Sequence, residues 1–147
     1  MKRFEDWPTR LDEFIESRRN QPFAWGSNDC CLFACDAVLA MTGEDLAADF
    51  RRKYSDARGA IQVLRDFLKG IGDDAPLVEA LAVRIARIRE IKEIAPRFAQ
   101  RGDVVLFEDA HGETLGLVSL SGDDILAPGE SELVRIPISS ALRAWRI

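Results

Sequence analysis

The residues best suited to chemistry lie in "FAWGSNDCCLFACDAV", residues 23–38. Cys30 follows Asn28 and Asp29, two good helix N-cap types, and opens an apolar run, so it is expected in the first turn of a helix. Backbone N–H groups and the dipole at a helix start stabilise a thiolate. They can also hold the oxyanion of an acyl intermediate. A nucleophilic thiol needs a base, and the chain holds one histidine, His111, in "DAHGETLG". The residue types leave Cys30 open between a perturbed thiol and a small buried hydrophobe. Cys31 and Cys35, one helical turn apart, read as core. Trp25 is placed either as the wall of a groove beside Cys30 or as an anchor for its loop, and Asp29 as the helix cap. Asp103 is expected to organise the turn into its strand through local backbone hydrogen bonds.

The elements that must position these residues fall into two halves. Pro8, Leu11, Phe14 and Ile15 predict a first helix, which Pro22 cannot continue. A second helix is expected from about Asp29 to Met41, with Leu32, Phe33, Cys35, Val38 and Leu39 buried and Gly43 at its end. Leu46, Phe50 and Tyr54 suggest a shorter helix, and Ile61, Leu64, Phe67 and Leu68 another, closed by Gly70. Residues 76–95 read mostly as helix, although "VRIARI" has some β character. After Pro96 come "GDVVLFE", "TLGLVSL", "DDILAP" and "ELVRIPI", separated by turn residues, which predict an antiparallel meander of three to five strands. The closing "SSALRAWRI" reads as one helical turn with Leu142 and Trp145 inward. Helices first and strands second give an α+β layout in a single domain spanning 1–147.

Composition narrows the function classes. Hydrophobic residues make up 47% of the chain, enough for a core, and the 31% charged residues are mixed in sign. A net charge of −5 argues against nucleic acid as the main partner. No apolar run is long enough to span a membrane, and "MKRFEDWPTR" lacks the apolar core of a signal peptide, so synthesis and folding in a cytoplasm are expected. Three cysteines, two of them adjacent, make neither a disulfide framework nor a zinc ligand set. No metal and no cofactor are expected.

A cysteine at the start of a core helix, followed by an antiparallel sheet, is the plan of papain-like hydrolases. "WGSNDCCLF" resembles the nucleophile box of the NlpC-type cell-wall cysteine peptidases, and "AQRGDVVLFE" is similar to their Pro-Gly-Asp strand, which maps Gly102 and Asp103. "TLGLVSLSGDDILAP" resembles the two strands that follow. Within that superfamily the chain looks closest to small phage-encoded tail-gene proteins, on "FAWGSNDC", "AQRGDVVL" and "LRAWRI". The resemblance implies a papain-like fold with Cys30 as nucleophile and with Trp25, Asp29 and Thr114 beside the substrate. It also exposes departures. With Gly116 set on the family's strand glycine, the base histidine falls on Thr114 and the third polar residue on Leu126. His111 lies three residues before Thr114, about 10 Å along a strand, whereas a base must approach within about 3 Å of its thiol or act through one water. A bulge at Gly112 would be needed to bring it back.

Two functions are implied. The first is a structural protein of a phage tail tip or tail-assembly machinery, located in the virion, with a degenerate peptidase fold that binds other tail proteins. The second is an active cysteine hydrolase cleaving peptidoglycan stem-peptide amides, with Cys30 as nucleophile and His111 as base. The absent imidazoles favour the first.

Overall fold

The computed structural model of the protein describes residues 1–70 and 76–147. Among these residues, four helices precede a six-stranded antiparallel sheet: α1 (Trp7–Arg18), α2 (Cys30–Thr42), α3 (Ala57–Phe67) and α4 (Leu77–Ile88). The strands are β1 (Glu93–Ile94), β2 (Val104–Asp109), β3 (Gly112–Val118), β4 (Asp124–Pro128), β5 (Leu133–Pro137) and β6 (Arg143–Trp145), in spatial order β1-β6-β2-β3-β4-β5.

The central element is α2. Nine of its thirteen residues are buried, and its apolar side chains run all the way round, as expected of a helix packed on every side. Phe33, Ala37 and Met41 meet Leu11 and Ile15 of α1 over Leu117 and Leu126 of the sheet. Cys31, Ala34, Cys35 and Val38 face a second cluster with Leu64 of α3, Leu81 and Ile85 of α4, and Leu115 and Trp145. The opposite sheet face buries Val105, Phe107, Ile125 and Ala144 beneath the 3-10 turns at 96–98 and 138–140 and their flanks. The sheet is therefore covered on both sides, which explains why β2 begins with four consecutive buried residues.

Several expectations need correction. Leu46, Phe50 and Tyr54 are buried, but as a run of turns and not a helix. The Asp45 carboxylate accepts the Ala47 N–H, and Arg52 takes a positive φ of 63°, so the local bonding favours turns. The sheet has six strands and is not a simple meander, because β6 crosses to the free edge of β2, with Ala144 opposite Val105 and Trp145 opposite Val104. The closing segment is thus a strand. Ala144 and Trp145 go to opposite faces, a period of two that the Leu142–Trp145 spacing conceals. Leu142 is 54% exposed, and Leu39, expected in the core, is 36% exposed. "VRIARI" lies wholly inside α4.

Candidate functional site

Asp29 builds the start of α2. It takes extended backbone angles, and its Oδ1 accepts the Leu32 N–H at 2.9 Å, as an N-cap does. Its Oδ2 accepts the Gly26 N–H at 3.0 Å and the Tyr54 hydroxyl at 2.8 Å. Burial and the neighbouring carboxylate push the Tyr54 hydroxyl well above the usual phenol range, so it stays a donor. Gly26 is required here: its φ is +80°, and a Cβ would stand 2.1 Å from the Tyr54 carbonyl oxygen. Asn28 locks the other side of the turn. Its side chain donates to the carbonyls of Gln21 and Pro22 and accepts from Arg18. The loop before Cys30 is consequently held by buried polar bonds on both flanks.

Cys30 is the first residue of α2 and is half-buried. Its sulfur lies 3.9 Å from that of Cys31. The Cys31 hydrogen bond lowers the Cys30 thiol below its ordinary value, burial opposes this, and the Leu115 backbone N–H adds to the lowering. Cys31 is raised by the same contact and by its own burial. Burial pushes Cys35 up as well. One thiol of the three is therefore prepared to ionise, and it is the one at the helix start.

The strand facing that thiol is β3. Leu115 brings its backbone N–H to Cys30, which places Thr114 one residue away on the same strand. The Thr114 hydroxyl bonds to Asp109 at 3.2 Å, across the mouth of the β2–β3 hairpin. His111 occupies the two-residue turn of that hairpin and is exposed, its backbone N–H bonded to the Asp109 carboxylate. Asp109 pairs directly with Gly112, so the hairpin closes without a bulge. Leu115 is four positions beyond His111, about 13 Å of strand. Among the described residues, no hydrogen bond joins His111 to Cys30.

Trp25 sits at the tip of the loop closed by the Ala24–Asn28 bridge, 44% exposed and edge-on to Phe23 at 4.9 Å. The fold therefore gathers Cys30, Asp29 and the Thr114 strand, and leaves Trp25 and His111 at the surface. Two hollows among the described residues, of about 40 and 130 Å³, are lined by none of Cys30, Trp25 or His111. Ligand pockets usually measure about 300 Å³ or more. Tyr54 and Cys31 are the site residues that the sequence does not single out. The Tyr54 bond spans 25 residues, and nothing local announces it.

A family model described as a domain of unknown function, DUF6950, matches residues 2–147. The chain belongs to that family. Among solved structures it is similar to the NlpC/p60 domain of the peptidoglycan hydrolase SagA, with a TM-score of 0.54 and 15% identity, covering 95% of this chain and 98% of that one. At that identity the likeness is one of fold, and the papain-like NlpC/p60 architecture expected from the nucleophile box is the one present. No curated protein matches the chain.

Proposed function

We propose that this DUF6950 chain is a papain-like domain without a working dyad that acts by binding other proteins. The observation that carries this reading is the strand opposite Cys30. Where the NlpC-type resemblance places the base, Thr114 stands with its hydroxyl turned to Asp109, and the one imidazole lies on the exposed hairpin turn. A threonine cannot accept a thiol proton near neutral pH, and removing the base from such a site costs about 100- to 10,000-fold in rate. The resemblance to phage-encoded tail-gene proteins supports a tail tip or its assembly machinery as the setting, with other tail proteins as partners and the virion as location.

The half-buried, acid-shifted Cys30 thiol favours a second reading, a cysteine hydrolase. In it Cys30 attacks a stem-peptide amide of peptidoglycan, the helix-start N–H groups hold the oxyanion, and His111 must move to protonate the leaving amine. Purified peptidoglycan incubated with wild type, Cys30→Ala and His111→Ala separates the readings. Muropeptide release at the buffer level in all three is expected, and release by wild type that both substitutions abolish would establish the hydrolase. Immunodetection in purified tails tests the setting, and absence from tails and their assembly intermediates would remove it.

A further inference from the structure

The two ends of the chain meet at one buried carboxylate. Asp103 is fully buried, and it accepts from Arg3 at 3.1 Å, Arg146 at 3.0 Å and the backbone N–H groups of Gln100 and Ile147. Arg101 joins this group: Arg3 and Arg101 both lie against the Trp7 ring, at 4.1 and 5.4 Å, and Arg3 donates to the Arg101 carbonyl. Arg97 extends it, stacked on the exposed Phe98 ring at 4.7 Å, while Arg146 bonds the Phe98 carbonyl. Two guanidinium groups, Arg3 and Arg146, thus share a single carboxylate, and Arg101 and Arg97 lie beyond its reach on aromatic rings. Burial lowers the Arg3 guanidinium most, Asp103 opposes this, and repulsion from Arg146 and Arg101 adds to the lowering. Among the described residues, neither Arg97 nor Arg101 has a hydrogen-bond or carboxylate partner for its guanidinium.

Two arginines elsewhere are satisfied by a carboxylate in two-point contact. Arg143 grips Glu93 at 2.7 and 2.8 Å, and Arg51 grips Asp45 at 2.8 and 2.9 Å. At the terminal junction Arg97 and Arg101 offer the same donors with no such acid on them, in a molecule whose net charge is −5. It also has the composition of an interface hot spot, arginine and aromatic side chains together, with Phe98 57% exposed. We infer that the surface formed by Arg3, Arg97, Phe98, Arg101 and Arg146 docks an acidic segment of a protein partner. This rests on the reading of the domain as a binding module and supplies the chemistry of its partner. Carboxylates fit the planar fork of each guanidinium, and Phe98 offers an apolar neighbour. A long polyanion such as nucleic acid would run from this compact patch onto a surface of the opposite preference.

The test is fluorescence anisotropy of a labelled hexaglutamate peptide at low ionic strength against wild type, Arg97→Ala/Arg101→Ala, and a control pair on α3, Arg58→Ala/Arg65→Ala. The Arg97 and Arg101 guanidinium groups make no ion pair, only one ring contact each, so the variant should lose at most a few degrees of thermal midpoint. Saturable binding that salt weakens is expected, reduced about three- to thirtyfold in Arg97→Ala/Arg101→Ala and unchanged in the control pair. No saturable binding, or an equal loss in both double variants, would overturn the proposal. So would tighter binding of a single-stranded oligonucleotide of the same charge. Cys30 is not among the groups that these arginines touch. Muropeptide release would therefore sink the binding-module reading, while the anisotropy result would still stand or fall by itself.

Discussion

At Cys30 two neighbours work against burial. The Cys31 sulfur lies 3.9 Å away, and the Leu115 backbone of β3 adds to the lowering of the thiol. If that geometry sets the thiol, Cys31→Ala should raise the Cys30 pKa, and Cys31→Ser should hold part of the shift. Alkylation rate against pH, followed at Cys30 by mass spectrometry, reads this directly, and an unchanged profile in Cys31→Ala would remove Cys31 from the account. A second residue carries stability. Asp103 is buried with two arginines on it, and Asp103→Ala would leave Arg3, 17% exposed, without its counter-charge. Breaking a buried pair from one side costs about 3 kcal/mol or more. A urea-unfolding loss below about 1 kcal/mol would instead place this contact with ordinary surface pairs.

Among the elements, α2 and the loop before it decide whether a site exists. Gly26 admits no side chain, since its φ is +80° and the Tyr54 carbonyl stands against it. Gly26→Ala should therefore cost about 2 kcal/mol or more and loosen the Tyr54–Asp29 bond, visible as faster hydrogen exchange at the start of α2. Unchanged exchange there would mean that the loop has another anchor. These elements also show what could be read from the residues. Asn28 and Asp29 announce the start of α2, because N-cap chemistry is local, and Gly43, in the left-handed region, marks its end. The β2–β3 and β4–β5 hairpins follow from apolar runs between turn residues. Strand β6 was not legible, because its partner β2 lies some forty residues earlier and a three-residue strand has too few alternations to betray its period. For the same reason Asp103 reads as a local turn residue, which its bond to the Gln100 N–H bears out, while its bonds to Arg3, Arg146 and Ile147 appear only once both ends are folded onto it.

For the molecule as a whole, acid should be the destabilising direction. Asp45 is held below the usual carboxylate range by Arg51, and Glu93 by Arg143. A depressed acid contributes stability that is complete above its unfolded pKa of about 4 and is lost as pH falls through its lower folded value. Glu113 runs the other way. Burial raises it, so the stability it contributes is present at low pH and is lost as pH rises through its folded value. The urea midpoint should thus fall as pH drops below about 4. Glu93→Gln should flatten that fall and Glu113→Gln should steepen it. A midpoint independent of pH between about 5 and 2 would show that these pairs are fully screened.

The proposal of a papain-like domain without a working dyad makes one claim above the others: Cys30 and His111 do not act as a pair. The direct measurement is the alkylation rate of Cys30 against pH, site by site, in wild type and in His111→Ala. The account predicts two superimposable profiles, both with a thiol pKa set by Cys31 and the helix start. A profile that shifts upward in His111→Ala, with loss of reactivity near neutral pH, would show the imidazole at the thiol and contradict it.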